Sequence, residues 1–284
     1  MTLRRMTFAF ALGMVLVFPA FARAESAQES FARGKTLLAK GDFQSALAAY
    51  SAAARADEAN QQYMDQYLFV RRIISLRQRI DTEKDHQRWA YTARALHALY
   101  SAEGMLSEAL SLGQKIHAKL NDESSAVLLA ETQLALNQSA EAAEVLGALD
   151  KEQASPASRA LLGVALARFG KMDEARQIAK TVAVPEKASP GVDYAVARLH
   201  ALTGSSSQAL ALLTRCFESL PPSRQANFKD HAKQCPDFAG LASTGQLAKV
   251  LATKSKAPES GCSGGSGCAN CPMRGQCAKD QEGK

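Results

Sequence analysis

Apolar residues recur every three or four positions along most of this chain, which is the spacing of one face of an α-helix. Small residues interrupt these helical segments at a regular interval. Aligned on one alanine, the segments form five copies, with the alanine at Ala46, Ala109, Ala142, Ala175 and Ala209. The last four alanines are 33, 33 and 34 residues apart. The pattern therefore predicts repeated helical hairpins.

The first copy of the repeat, at residues 32–53, shows the pattern most completely. It has a small residue in the first helix, a glycine in the turn and apolar positions in the second helix, at Gly34, Gly41, Phe43, Tyr50 and Ala53. The copy that ends near Val182 repeats the small residue at Gly163 and the turn glycine at Gly170. The other copies are degenerate: His97, Ala130 and Ala197 replace the small glycine, and Asn137 replaces the turn glycine.

These positions resemble the tetratricopeptide repeat, a 34-residue helix-turn-helix unit, over about residues 26–217. The resemblance implies an all-α fold in which helix pairs stack into a solenoid, because one pair cannot cover its own apolar face. It also implies a non-enzymatic scaffold that binds a protein or peptide partner in a concave groove. Larger apolar residues are expected to fill the seams between pairs, at Leu96, Leu129, Leu162 and Leu212.

One interruption separates the first copy from the others, since Ala46 and Ala109 are 63 residues apart. The stretch 61–80 has apolar residues at helical spacing and predicts one long helix. A turn is expected at 81–86, followed by a helix from Gln87 to Ala102. After residue 217, a Pro-Pro break predicts a new helix from Arg224 to Lys233 with Ser223 as its N-cap.

A short turn and a last helix from Gln246 to Ala252 then complete a helical end cap, which a solenoid requires. From Lys254 the chain becomes rich in Lys, Ser, Pro and Gly, which is typical of a linker. The predicted organisation is a solenoid with its cap at 25–253, and a flexible linker with a cysteine-rich tail at 254–284.

The first 24 residues have the order of a secretory signal peptide. Arg4 and Arg5 precede an apolar run at 8–21, and Ala22-Arg23-Ala24 has the small-x-small pattern of a cleavage site. The alternative is an uncleaved N-terminal anchor, although the apolar run is short for a membrane span. We expect a periplasmic or otherwise exported protein without a stable membrane anchor after cleavage. The formal charge of +6 falls to +3 on cleavage, which is too mild to indicate nucleic acid as a partner.

Four of the six cysteines lie in the tail, at Cys262, Cys268, Cys271 and Cys277. Their C-x5-C-x2-C-x5-C spacing places two sulfurs within reach of one metal ion, and four thiolates would complete a zinc site or hold an iron–sulfur cluster. Two disulfides are the alternative that an exported location favours. A redox-active pair of Cys268 and Cys271 is a third, although Pro272 follows the second cysteine.

The part of the tail from Cys268 to Cys277 is similar to the cysteine-rich segment that binds auxiliary iron–sulfur clusters in SPASM-type extensions of radical enzymes. This likeness spans ten residues and suggests ligand geometry alone. A second functional hypothesis follows from the tail: a metal-binding or thiol-redox accessory protein whose solenoid docks a client. Cys216 and Cys235 belong to the body of the protein, either as small core residues or as a disulfide that ties the last repeat to the cap.

The remaining candidates for chemistry favour structural roles. The sequence has no glycine-rich phosphate loop, GxSxG elbow or HExxH pair, so no enzyme activity is predicted. His97 and His200 fall within first helices and are expected to pack there or line the groove. Trp89, Tyr91 and Tyr100 are expected in the helix seams. Basic residues crowd the long helix at Arg71, Arg72, Arg77 and Arg79, and Lys84 and Arg88 follow it. Nearby acids favour a solvated face over an anion-binding strip.

Overall fold

A computed structural model describes residues 25–150 and 152–258. Every regular element in these residues is helical, as the repeat pattern predicted. The chain divides into two compact units, one that ends at Gln78 and one that begins at Arg79. The predicted signal peptide at 1–24 lies outside the described residues. Within them, no helix is both long and apolar enough to span a membrane.

The first unit contains one helical hairpin and most of the long helix. Its helices are α1 (Ala27–Ala39), α2 (Phe43–Ala56) and α3 (Gln61–Thr82), the last of which continues past the unit boundary. α1 begins with a capping box between Ser26 and Glu29, which satisfies two backbone donors. A Cβ at Gly34 would lie 2.7 Å from the Tyr50 ring, so the small residue is needed for the hairpin to close.

The second unit contains four further hairpins that follow one another along the chain. Their helices are α4 (His86–Ala102) with α5 (Leu106–Leu120), α6 (Glu123–Ala135) with α7 (Ser139–Gly147), α8 (Pro156–Arg168) with α9 (Met172–Thr181), and α10 (Pro190–Leu202) with α11 (Ser206–Ser219). From α4 to α9 each helix packs on the next, and α8 also packs on α10. This solenoid-like arrangement confirms the predicted stacking of helix pairs.

The five alignment alanines are completely buried, each in the second helix of its hairpin. Every turn slot five residues earlier has a positive φ: 73° at Gly41, 70° at Gly104, 60° at Asn137, and 90° at both Gly170 and Gly204. Glycine adopts this left-handed conformation without strain, and asparagine tolerates it better than most residues. The degenerate copy at Asn137 therefore keeps the turn geometry of the others.

The predicted seam leucines pack as expected. Leu96 and Leu129 are buried. Leu162 and Leu212 are partly buried and pack against the core cluster that contains Leu161 and Leu199. The core at the α8–α10 contact is especially tight, because a Cβ at Gly163 would lie 2.7 Å from Leu199. Ala160 and Val164 are fully buried on the same helix.

The predicted long helix is confirmed, and it extends two residues further than expected. The connection to α4 is correspondingly shorter, because Asp85 already caps α4 by accepting a hydrogen bond from the Arg88 backbone. The prediction of Ser223 as an N-cap is wrong: α12 (Pro222–Gln234) begins two residues earlier than the predicted start at Arg224, with Pro221 as its N-cap. Proline suits the first helical position because its φ is preset and its missing N–H would have no partner there.

The cap continues beyond α12 with a 3-10 turn (Pro236–Phe238), α13 (Ala239–Ser243) and α14 (Gln246–Leu251). The final described segment does not leave the cap at once. Ser255 donates to the Leu220 carbonyl at 2.5 Å, and the Lys256 backbone donates to the Glu218 carbonyl at 2.8 Å. The start of the predicted linker is thus held against the end of α11.

Candidate functional site

A cavity of about 790 Å³ lies on the face of the second unit that the first helices of its hairpins form. We call it the groove cavity. α4, α6, α8 and α10 each contribute to it, and the end of α12 with the residues after it closes one side. Its lining residues are His97, Ser101, Leu106, Leu128, Glu131, Thr132, Leu134, Ala135, Asn137, Arg168, Arg198, His231, Gln234, Cys235 and Pro236.

A buried ion network joins the cap to the first helices beside this cavity. Nε of Arg168 donates to one oxygen of Asp237 at 2.6 Å, and Nε of Arg198 donates to the other at 2.7 Å. Arg198 also donates to Glu131 at 3.2 Å, and Arg168 donates to the Leu134 carbonyl at 2.9 Å. The side chain of Asp237 is 1% exposed and that of Arg198 is 4% exposed. Such charges are stable in the interior because each is paired and hydrogen-bonded.

The protonation states of this network follow from its geometry. Burial disfavours ionised Asp237, but Arg198 and Arg168 outweigh burial and hold the pKa of this carboxyl below its ordinary value. Burial likewise disfavours charged Arg198, yet Glu131 and Asp237 raise its pKa above the ordinary value. The pair of Asp237 and Arg198 is therefore ionised at neutral pH.

His97 lines the groove cavity as a neutral ring. The Thr132 hydroxyl donates to the Leu128 carbonyl at 3.0 Å, so its oxygen accepts from Nε2 of His97 at 2.9 Å. This pattern assigns the hydrogen to Nε2 and leaves Nδ1 as an acceptor. Burial lowers the pKa of His97 to about 4. The prediction of a packing or groove role for His97 is confirmed.

A second histidine, His231, belongs to the cap side of the cavity and lies 2.6 Å from the Tyr194 hydroxyl through Nδ1. Burial and then the nearby Arg198 lower the pKa of His231. Burial also raises the pKa of Tyr194, so the phenol keeps its proton. His200 is buried as well, and burial lowers its pKa.

The two body cysteines are both buried free thiols in the core between α11 and the cap. Burial and then Asp193 raise the pKa of Cys216 to about 12, and burial and then Asp237 raise the pKa of Cys235 to about 11. Both are therefore protonated, and the alternative of small core residues describes them, rather than a disulfide. Unreactive thiols of this kind serve packing.

The aromatic predictions have a mixed outcome. Trp89 and Tyr100 are buried, and the Lys119 ammonium lies 3.9 Å from the centre of the Trp89 ring. Tyr91 is 79% exposed, so its predicted place in a seam is wrong. It falls one residue beyond the buried Ala90, on the outer side of α4. On α3, Arg71, Arg72 and Arg79 are exposed, and Arg77 lies over the Phe43 ring at 4.8 Å.

The predicted metal ligands Cys262, Cys268, Cys271 and Cys277 lie outside the described residues. Within 25–150 and 152–258, no group of three or more His, Cys, Asp or Glu side chains is placed to hold a metal ion. The predicted zinc or iron–sulfur site therefore rests on the tail sequence alone.

The sequence reasoning missed the ion network, although one signal was available. Glu131 and Arg198 occupy the same position of the repeat, one residue after the small-residue slot of their first helices. Hydrophobic Val164 occupies this position in the copy between them. Because equivalent positions of stacked repeats face the same side, these two opposite charges at one repeat position indicate side chains that face each other. Asp237 carried no such signal, because the cap has no repeat.

These features define the fold: the described chain is built of stacked helix pairs that resemble tetratricopeptide repeats, with a helical cap beside the groove cavity. The model of one protein family, described as anaphase-promoting complex, cyclosome, subunit 3, matches residues 102–182, which is under a third of the chain. That segment comprises the helices from α5 to α9 and the end of α4. A comparison with curated proteins finds no match.

Two solved structures are similar to this chain at low identity. A thermophilic TPR protein from Thermus thermophilus is 19% identical, with a TM-score of 0.35, and the match covers 80% of this chain and 99% of that protein. YrrB, a TPR protein with an unusual peptide-binding site, is 18% identical, with a TM-score of 0.32, and the match covers 75% of this chain and 94% of that protein.

Proposed function

We propose that this protein is a non-enzymatic scaffold that binds an extended segment of a partner protein in the groove cavity. The observation that supports this is the cavity itself, which lies where the first helices of four successive hairpins meet. Its volume of about 790 Å³ falls within the range of about 300–1,000 Å³ that is common for ligand sites.

The chemistry of the lining suits a polypeptide better than a small substrate. Leu106 and Leu128 are half-buried and present apolar surface, while Ser101 and Asn137 are exposed polar groups at the cavity edge. An extended chain offers alternating N–H and C=O groups together with apolar side chains, so it can use both kinds of surface. Burial lowers the pKa of His97 and His231 and raises the pKa of Cys235, the thiol among the described lining residues. The lining therefore presents no activated thiolate or charged imidazole as a nucleophile or base.

Site-specific photo-crosslinking tests this proposal. A benzophenone amino acid replaces Ala135, which is exposed in the cavity lining, or Glu144, which is exposed on α7 away from that lining. Each purified full chain is irradiated with a peptide mixture digested from total cell protein. Adducts are expected at position 135 and not at position 144. Adducts that are equally frequent at the two positions, or confined to position 144, would contradict peptide binding in the cavity.

A second proposed function concerns the tail: the four cysteines bind zinc or an iron–sulfur cluster, and the helical body docks a client. The C-x2-C centre of the tail motif supports this, because two thiolates at that spacing can share one metal ion. The full chain, purified without oxygen, is assayed for metal, visible absorption and free thiols. One equivalent of zinc or a cluster spectrum, lost in Cys268→Ser, is expected. A metal-free protein with at most two free thiols would instead support disulfides.

We also propose that residues 1–24 are removed during export to the periplasm or another exported location. The charge and apolar pattern of this segment support the proposal. N-terminal sequencing of the protein from the exported fraction should begin at Glu25. A chain that begins at Met1 and remains with the membrane fraction would support the uncleaved anchor.

A further inference from the structure

One face of α6 presents an acidic side chain between apolar side chains to the groove cavity. Leu128, Glu131 and Ala135 are three and four residues apart, so they lie on one side of the helix, and all three line the cavity. Leu106 adds further apolar surface from the start of α5. An acidic group thus lies between apolar surfaces at the open side of the site.

Glu131 is the charged group that the cavity exposes most. Its side chain is 44% exposed, against 14% for Arg168 and 4% for Arg198, the other charged residues of the lining. Within the described residues, Oε1 of Glu131 accepts from Arg198 at 3.2 Å, and Oε2 has no hydrogen-bond partner. One carboxylate oxygen is therefore held in place while the other is left for a ligand.

The arginines behind Glu131 do not make the cavity an anion site. Both donate through Nε to the buried carboxylate of Asp237, which offsets one of their two positive charges, and Glu131 offsets the other as the second counterion of Arg198. An acidic side chain that entered the cavity would first meet the Glu131 carboxylate, and like charges at close range repel. A cationic side chain would instead meet the exposed carboxylate of Glu131, and Arg198 behind it is already paired with Asp237.

We propose that Glu131 recognises a lysine or arginine side chain of the bound segment. This inference rests on the proposed function, because it assumes that a polypeptide occupies the cavity. The methylene stem of the basic residue packs on Leu106 and Leu128, and its cationic end donates to the free oxygen of Glu131. A hydrogen bond between two ions is roughly twice as strong as a neutral one, so this contact determines which segments bind.

Selection from a phage-displayed library of random peptides tests the inference. The immobilised full chain is used as wild type, Glu131→Gln, Glu131→Arg and the matched control Glu144→Gln, and circular dichroism checks the helix content of each. One synthetic peptide from the wild-type pool is then titrated against every variant by fluorescence anisotropy.

The wild-type and Glu144→Gln pools should share a lysine or arginine at one fixed position. The peptide should bind Glu131→Gln at least about tenfold more weakly, because a charge-assisted hydrogen bond is lost. The Glu131→Arg pool should replace the basic residue by an acidic one. If Glu131→Arg fails to fold, the affinity for Glu131→Gln decides the question.

Two contrary results have different meanings. Peptides that bind wild type and Glu131→Gln equally, but lose binding in Leu128→Asp, would overturn this inference and leave the proposed groove function standing. Peptides that are indifferent to Leu128→Asp, or an empty selection, would contradict the groove function and this inference with it.

Discussion

Replacement of Asp237 by asparagine should destabilise the protein strongly without changing the shape of the side chain. Asp237 accepts from Arg168 and Arg198 through separate oxygens, at 2.6 and 2.7 Å. In the variant, the amide NH2 group faces one of these guanidinium donors. The amide oxygen can still accept from the other arginine. As counterions, Arg198 then keeps only Glu131, and Arg168 keeps none among the described residues, although it still donates to the Leu134 carbonyl.

The expected loss in the free energy of unfolding of Asp237→Asn follows from the burial of the ion pairs. Asp237 is 1% exposed and Arg198 is 4% exposed, so water cannot replace the lost interaction. Removal of one partner from a buried ion pair costs about 3–5 kcal/mol. Because Glu131 still compensates part of the Arg198 charge, we expect a loss of about 3 kcal/mol in the free energy of unfolding. Asp173→Asn is the matched control, since Asp173 pairs with Arg176 at 3.1 Å but is 97% exposed. Its loss should be below about 1 kcal/mol.

Urea unfolding at 25 °C measures both variants. Far-UV circular dichroism follows all the helices, whereas fluorescence follows the single tryptophan, Trp89 in α4. If the cap region unfolds separately, Asp237→Asn shifts the dichroism transition to lower urea and leaves the fluorescence transition in place. A cooperative second unit would shift both transitions together.

The pH dependence gives an independent readout. The arginines lower the pKa of Asp237, so the ion pairs stabilise the folded state above the ordinary pKa of 3.8 and lose this effect as the pH falls through the lower folded value. The difference between wild type and Asp237→Asn should therefore shrink in acid. An Asp237→Asn variant within about 1 kcal/mol of Asp173→Asn at pH 7 would refute the argument that burial makes this network strong.

Three further predictions concern packing and titration. Gly163→Ala should lower the free energy of unfolding by about 1–3 kcal/mol, because its Cβ would lie 2.7 Å from Leu199. The control Gly191→Ala has open space around its Cβ and should be neutral or stabilising in thermal melts. NMR titration should give His97 a pKa of about 4. The free energy of unfolding should therefore fall by on the order of 3 kcal/mol as the pH drops from 6.5 to about 4, and His97→Gln should weaken this fall. A pKa of His97 near 6.5 would contradict its burial. Asn137→Gly should leave stability unchanged or raise it slightly, because glycine adopts the φ of 60° freely; a clear loss would indicate that the asparagine side chain matters.

The repeat could be predicted from sequence because small residues have a strict geometric cause. An alanine or glycine recurs where two backbones approach, and a glycine or asparagine recurs where φ is positive, so both are visible at fixed spacing. Helix ends were less certain. Ser223 is a residue type that is common at the N-cap, but α12 begins at Pro222, because proline is equally well suited to the first helical position.

The candidate site was harder to predict because its parts come from distant positions. Arg168 and Asp237 are 69 residues apart, and the cap that contributes Asp237 has no repeat to align. The exposed Tyr91 is a second example. Helical spacing assigns an aromatic residue to one face of a helix, but it does not show whether another helix covers that face.

The ion pairs of Asp237 with Arg168 and Arg198 also change how the second unit should respond to mechanical force. A stack of hairpins in which each touches only its neighbours unravels from an end, one hairpin after another. Here Asp237 joins α8, α10 and the cap through a single side chain. A pull on the C-terminal end should therefore meet a mechanical clamp, with the last two hairpins and the cap released in one step before the remaining hairpins unravel singly.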